Sequence, residues 1–271
     1  MTKWVTVSSD SSQSYDFLVP IAGLVWRKVT GYEPLPILAG PDWGAKPGQV
    51  IIDQLYRFGM GHHFVGKISE HYRTGVHAKM SRQHICCIDL PEDDLVMTAD
   101  ADMMPIDGAW FNQWDDSKLI RLHFANSYSY RFHTTGYWTM KVKTWREVMR
   151  LDTSKTVGEH LQERLDRYIG RDRDTFQEWY ADEHVASVYL KSWSGYPDQC
   201  FMVHREGAPP SDRLDRENWH GKLDRMVDAH VLRPAQTEAN WPRMREFLGK
   251  LIPEHMDEVE KFRERYLEAR R

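Results

Sequence analysis

Asp100 and Asp102 are the residues of this chain best suited to chemistry. They stand one residue apart after the apolar run Asp94-Leu95-Val96-Met97-Thr98-Ala99 and are followed by Met103-Met104-Pro105. The run has strand character, and alternate residues of a strand share a face, so both carboxylates point the same way. Such a pair suits a hard divalent cation, magnesium or manganese, whose other positions substrate phosphates commonly fill. The arrangement predicts a phosphorylated substrate bridged to the protein by the metal. A plain polar turn is the competing reading, since Asp is common in turns; the flanking Ala and Met-Met-Pro are unusual company for one. An EF-hand is excluded, because Met104 and Phe111 stand where oxygen ligands are needed.

The rest of the composition narrows the class. The 271 residues are enough for one large domain or two small ones, and 41% hydrophobic residues allow an ordinary core. The 36 basic and 40 acidic residues leave a net charge of -4, which argues against a dedicated nucleic-acid binder. Three cysteines (Cys86, Cys87, Cys200) make no disulfide framework and suit a reducing compartment. The first ten residues lack the pattern of a signal peptide. The longest apolar run, Phe17 to Trp26, contains Pro20 and Gly23 and is too short to span a bilayer. A cytoplasmic protein is the expectation.

These two aspartates need elements to hold them. Trp4–Ser8, Leu35–Ala39, His63–Val65 and Asp94–Ala99 read as strands. Between them, Ser14–Thr30, Gln49–Phe58 and Val76–Ile88 read as helices. This alternation predicts an α/β fold, a mostly parallel central sheet with helices on both faces. Ligands of such sheets sit at the carboxyl ends of strands, where Asp100, Asp102, Ser8, Ser9 and Asp10 lie. Further on, Leu119–Phe124, Tyr137–Val142 and Gln199–Val203 have strand character. Thr144–Arg150 starts a helix and Thr175–Leu190 is a helix candidate, whereas Gly207–Arg216 reads as a charged loop. Trp241–Arg271 is helical, broken at Pro253. One α/β domain with C-terminal helices is expected, without internal repeats.

The run DDLVMTADADMM, with its surroundings, resembles the strand-plus-D-x-D element of GT-A fold glycosyltransferases, which use nucleotide-sugar donors. The resemblance extends over residues 4–235 as an order of elements. The first strand ends in Ser8-Ser9-Asp10, where such enzymes hold the nucleoside. A helix carrying Lys79 and Arg82 precedes the D-x-D strand. Gly136-Tyr137-Trp138-Thr139-Met140 resembles the acceptor-side strand, and Asp182-Glu183-His184 resembles an acidic helix start. Asp228-Ala229-His230 resembles the late histidine segment that closes the metal site. Where members of the glycogenin type carry H-x-x-G-x-x-K-P-W, this chain keeps the histidine and a nearby proline and has Arg233 in place of the glycine.

The resemblance implies a GT-A, Rossmann-like domain over 1–235, its nucleotide-binding part about 1–105 and its acceptor part about 106–235. Residues 236–271 would form a helical tail packed on it. It implies a metal-dependent hexosyl- or pentosyltransferase acting on a nucleoside-diphosphate sugar and a carbohydrate-type hydroxyl acceptor (glycan, lipid or protein-linked sugar). Manganese or magnesium would be held by Asp100, Asp102 and His230. Asp102 would ligate directly, Asp100 would contact the ribose, or the metal through water, and Asp228 would orient the histidine ring. Donor contacts would come from Ser8, Asp10, Arg82, Asp100 and Arg233, with the loop arginines Arg213 and Arg216 as further partners for a diphosphate. Asp182 and Glu183 are the catalytic candidates, one of them taking the acceptor proton if the reaction inverts; Asp198 is their competitor. The ordinary readings are a helix-dipole pair for the two acids and solvated charges for Lys79 and Arg82. The tail segment Trp241–Leu251 mixes aromatic, apolar and basic residues, and either packs on the domain or touches a membrane surface. Two rival functions remain: a sugar-1-phosphate nucleotidyltransferase, whose glycine-rich loop Ser8–Ser14 lacks, and a non-catalytic nucleotide-sugar-binding protein.

Overall fold

The structure is a computed structural model. It describes residues 1–66, 70–123, 132–169, 178–203, 205, 211–219 and 222–271. Among these, seven strands form one central sheet: β1 (Lys3–Asp10), β2 (Glu33–Ala39), β3 (His63–Val65), β4 (Leu95–Asp100), β6 (Ile120–His123), β7 (Trp138–Lys141) and β8 (Cys200–Val203). Their order is β3-β2-β1-β4-β7-β6-β8, with β7 antiparallel to both neighbours and all the other pairs parallel. This is the mostly parallel α/β sheet that the strand–helix alternation predicts. The expected strand over Leu119–Phe124 begins one residue later, and Phe124 itself lies outside the described residues.

The sheet is buried on both faces. Along β4, Met97 and Ala99 pack into one core and Val96 into the other. The first core holds α1 (Leu18–Thr30) and α2 (Lys46–Arg57). The second holds α3 (Thr74–His84), α5 (Val142–Val148), α6 (Val157–Tyr168) and α7 (Ala181–Lys191). A short helix, α4 (Gly108–Phe111), follows β5 (Met103–Pro105). Helix α1 starts at Leu18, not Ser14, because residues 12–17 turn instead: the Asp16 carboxylate accepts from the Phe17 amide at 2.7 Å. It stops where Gly31 takes φ 76°, a left-handed cap that favours glycine. Helix α6 escapes the apolar-spacing reading, although Thr156 and Glu159 form a complete capping box at its start. The expected helix over Thr175–Leu190 is present as α7, while its residues 175–177 lie outside the described residues.

A second, three-stranded sheet is too short to show in sequence periodicity. It pairs β5 with β10 (Asp228–His230) and β10 with β9 (Arg213–Asp215), the last lying within the expected charged loop. Since β5 leaves directly from Asp102, this small sheet decides what meets that residue.

The last two helices, α8 (Trp241–Leu251) and α9 (Met256–Arg270), belong to the first core. Trp241, Met244, Phe247 and Leu248 are buried, so the apolar face of α8 packs inward. Among the described residues no helix is long and apolar enough to cross a membrane. In α9, Phe262 stacks on Phe17 with ring centroids 4.9 Å apart, and Tyr266 donates to Asp16 at 2.7 Å. Burial lifts the Asp16 carboxyl to about 6 against the pull of Tyr266 and Arg270. A helix this embedded is structural: Phe262→Ala is expected to cost about 3–5 kcal/mol. A denaturant midpoint that stays at the wild-type value would show the helix to be an appendage.

Candidate functional site

Strand register brings the sequence candidates together. Ser8 of β1 lies beside Asp100 of β4, both at the carboxyl ends of parallel strands. Antiparallel pairing sets His230 beside Met103, and the Val231 amide donates to the Asp102 carbonyl at 2.8 Å. Parallel pairing of β10 with β9 then sets Asp215 beside His230. Residues 100, 102, 215 and 230 thus meet through backbone hydrogen bonding alone, before any side chain is considered.

The result is a cavity of about 410 Å³. Ser8, Asp10, Asp100, Asp102, His230 and Arg233 line it, as do Lys79, Glu183, Arg216, Tyr15 and Trp179. Asp102, on its wall, is only 3% exposed. Its Oδ2 is 3.1 Å from His230 Nε2, 3.3 Å from Arg216 Nη2 and 3.2 Å from Arg233 Nε. Burial raises its proton affinity, while His230 and Arg216 oppose the rise and Asp100 adds to it. Although Arg233 Nε is ion-paired with Asp102, its buried N–H is not aligned for a hydrogen bond there and makes none elsewhere. A group with spare acceptor oxygens, such as a phosphate, fits that orphan donor and the two guanidinium groups around it.

The ring of His230 is oriented by Asp215, not by Asp228. Asp215 Oδ2 lies 3.2 Å from His230 Nδ1, which Arg216 also approaches at 3.0 Å. Asp228 is 0% exposed and serves the scaffold: Arg213 and Arg205 bind it at 2.6 and 3.0 Å, and Tyr137 donates to it at 2.9 Å. Against burial, these two arginines hold its carboxyl down at about 2. Arg213 is therefore consumed beneath the site, and of the two loop arginines only Arg216 reaches the cavity.

Arg82, expected as a donor contact, is a buried bridge instead. It is 2% exposed and does not line the cavity. Its Nη1 donates to Asp100 at 2.5 Å and its Nη2 to Asp182 at 2.8 Å. Burial alone would lower its proton affinity, but the two carboxylates outweigh it and raise it. Asp182 is 4% exposed, takes a second hydrogen bond from Thr135 at 2.9 Å, and is absent from the cavity wall. Although burial opposes it, Lys79 and Arg82 keep its carboxyl low.

The next residue, Glu183, does face the cavity. Burial lifts its carboxyl to about 8, helped by the charges of Asp182 and Asp100. Asp198 is exposed at the opposite end of the sheet, where its carbonyl accepts from Lys118 at 2.7 Å.

Three neighbours were not singled out from sequence. Trp179 lies just before α7 and lines the cavity together with Glu183; it is 48% exposed, with the Lys79 ammonium 3.3 Å from its ring centroid. Tyr15 lies under Arg233 at 4.5 Å. Asp215 was hidden in a run read only as charged loop. By contrast, His77 and His84 are buried outside the cavity, and burial drives them to about 4 and 3, so they stay neutral.

As possible ligands, two carboxylates and an imidazole have the oxygen and nitrogen donors that manganese accepts. Asp102 and His230 are already in contact. Among the described residues, however, no three His, Cys, Asp or Glu side chains converge on one point. The donor types fit the ion, and Arg82 and Arg216 hold the carboxylates that would bind it.

No family model matches the chain. No curated protein matches it either. Solved structures do. The galactosyltransferase LgtC, in complex with donor and acceptor sugar analogs, superposes with a TM-score of 0.51 at 13% identity, over 93% of this chain and 96% of that one. The apo form of the glycosyltransferase GlyE of Streptococcus pneumoniae TIGR4 also gives 0.51 at 11% identity. So does the apo bifunctional enzyme WbbM, at 10%. The chain spans 64% of the GlyE chain and 51% of the WbbM chain. At such identities the likeness defines the fold: this is the GT-A glycosyltransferase architecture.

Two outcomes are expected from the charges. Arg82→Met leaves Asp182 buried without its partner and should cost about 3–5 kcal/mol in a denaturant titration, with the double variant Arg82→Met/Asp182→Leu recovering part of it. For Glu183, the folded protein holds the proton more tightly than the unfolded chain, whose value is near 4.5. Its stabilising contribution is therefore complete below about 4.5 and lost as pH rises through about 8. Glu183→Gln should gain on wild type in melting temperature between pH 5 and pH 9; parallel curves would refute the raised value.

Proposed function

We propose that this chain is a metal-dependent glycosyltransferase that moves a sugar from a nucleoside-diphosphate sugar to a carbohydrate-type hydroxyl acceptor. The observation that carries the reading is the single cavity at the carboxyl ends of β1 and β4, in which Asp100, Asp102 and His230 face Arg216 and Arg233. Carboxylates and guanidinium groups lining one cavity suit a diphosphate that arrives with its cation. The catalytic unit we assign is 1–235, with 1–105 on the nucleotide side and 106–235 on the acceptor side, braced by the helices of 236–271.

In this reading Ser8 and Asp10 meet the nucleoside. Arg216 and Arg233 bind the diphosphate, and Arg82 acts through Asp100 as a positioning residue. Asp100, Asp102 and His230 would hold manganese or magnesium, with Asp215 fixing the histidine ring. When bound, that ion supplies Lewis-acid neutralisation of the leaving diphosphate. Holding donor and acceptor together removes much of the entropic barrier.

On the acceptor side, Glu183 is the group assigned to the attacking hydroxyl, because it faces the cavity while Asp182 is locked to Arg82. If configuration inverts, Glu183 takes the proton. If configuration is retained, it binds the acceptor. The exposed face of Trp179, which lines the same cavity, suits the apolar C–H face of a sugar ring.

A thermal-shift series tests the core of the reading. A nucleoside diphosphate with manganese should raise the melting temperature more than either alone, since a ligand held 100-fold above its dissociation constant adds about 2.7 kcal/mol. Asp102→Asn should abolish the manganese-dependent part. No shift with uridine, guanosine, adenosine or cytidine diphosphate, with or without manganese, would end the proposal.

Turnover separates the roles further. Glu183→Gln should lose about 10²–10⁴-fold in kcat if the residue is the base, and wild-type kcat/KM should rise with pH through about 8. Trp179→Ala should raise the acceptor KM about tenfold, roughly 1.4 kcal/mol, with the diphosphate shift unchanged; an unchanged KM would remove Trp179 from the acceptor side.

A further inference from the structure

A second cavity lies at the other end of the sheet. It measures about 370 Å³ and opens where β1, β4 and β6 begin, roughly 20 Å from the first cavity by the length of β1. Lys3, Lys118 and Lys141 stand on its wall, and Trp114, partly exposed, gives it an aromatic surface. Tyr32 and Phe111 back that wall and are almost wholly buried.

The charges of this cavity are incompletely matched. Lys141 pairs with Asp93 at 3.1 Å. Lys3 donates to the Asn112 side-chain oxygen at 2.8 Å and Lys118 to the Asp198 carbonyl at 2.7 Å, both neutral acceptors. Behind the wall, Arg121 is 1% exposed. Its guanidinium donates to the carbonyls of Trp110 and Phe111 at 2.6 and 2.9 Å and to that of Gln113. These belong to the same segment that walls the cavity. Its Nε–H has no acceptor, and among the described residues no carboxylate pairs with it. Burial pulls its proton affinity down to about 10, with Tyr32 opposing the fall.

A buried cation lacking an anion is costly. Here one lies behind a wall that carries two lysines hydrogen-bonded to neutral acceptors, with Asp115 the carboxylate that Lys118 influences. The lining carries one carboxylate, Asp116, which is exposed. The missing component is negative charge, and the aromatic surface asks for an apolar body attached to it.

We propose that this cavity is a second binding site, for an organic anion whose phosphate or carboxylate engages Lys3 and Lys118 while its ring rests against Trp114. A soluble ring phosphate and the headgroup of an anionic lipid share this chemistry, in part. The site is independent of the glycosyltransferase reading, since no residue is common to the two cavities.

Phenyl phosphate is the probe, titrated calorimetrically into Arg216→Gln/Arg233→Gln protein so that the first cavity does not compete. One equivalent per chain should bind, more tightly than inorganic phosphate and less tightly as salt is added. Adding Lys3→Gln and Lys118→Gln should weaken it at least tenfold without lowering the melting temperature, as both side chains lie on the cavity wall. Absence of binding in the arginine variant, or affinity unchanged by the lysine substitutions, overturns the proposal. Phosphatidylglycerol vesicles distinguish the source: lysine-dependent co-sedimentation identifies a headgroup, whereas phenyl phosphate binding without vesicle binding identifies a soluble ligand.

Discussion

The candidate site rests on one constraint: the carboxylate of Asp102 is out of water and must be compensated by what surrounds it. Burial favours its neutral form, and His230, Arg216 and a backbone hydrogen bond oppose this. Three elements answer that demand. Strand β10 brings His230, the turn after β9 brings Arg216, and the segment after β10 brings Arg233. The small sheet therefore does more than cover the core. It carries a ring of positive charge to the end of β4, and that ring makes the cavity suitable for an anionic ligand.

Beside it lies a second electrostatic unit with a different task. Arg82 ties the end of β4 to the start of α7 through Asp100 and Asp182. Removing both guanidinium ends from the cavity and locking Asp182 leaves Glu183 as the acidic group of that helix start which faces the opening. Adjacent acids thus acquire opposite characters, one held ionised by Lys79 and Arg82 and the other kept protonated by burial and its neighbours' charge. Adjacent residues on a helix point about 100° apart, so sequence proximity does not make them equivalent.

Much of the fold was legible because it is regular. The alternation of strands and helices over residues 4–100 shows in hydrophobic period, and the end of β4 is marked by the change from apolar residues to Asp100 and Asp102. The second sheet was not legible, since three-residue strands are too short for a period-2 pattern. Its absence from the reading is why Asp228 was given the part that Asp215 plays. In a run such as Ser211-Asp212-Arg213-Leu214-Asp215-Arg216, charge is visible but direction is not. Only the pairing of β9 with β10 turns Asp215 toward His230 and leaves Arg213 beneath it on Asp228. Arg82, expected as a donor contact, shows a related limit: a basic residue on a helix face gives no sign in sequence of the two carboxylates that bury it.

The stacking of Phe17 on Phe262 joins residues 245 positions apart, and Tyr266 and Arg270 close the same corner on Asp16. Ser12 and Tyr15, on the wall of the first cavity, belong to the turn those contacts hold. Loop-closure entropy over that separation must be met before the rim sets, so this wall of the cavity takes its final shape only once the helix that carries Phe262 and Tyr266 has docked.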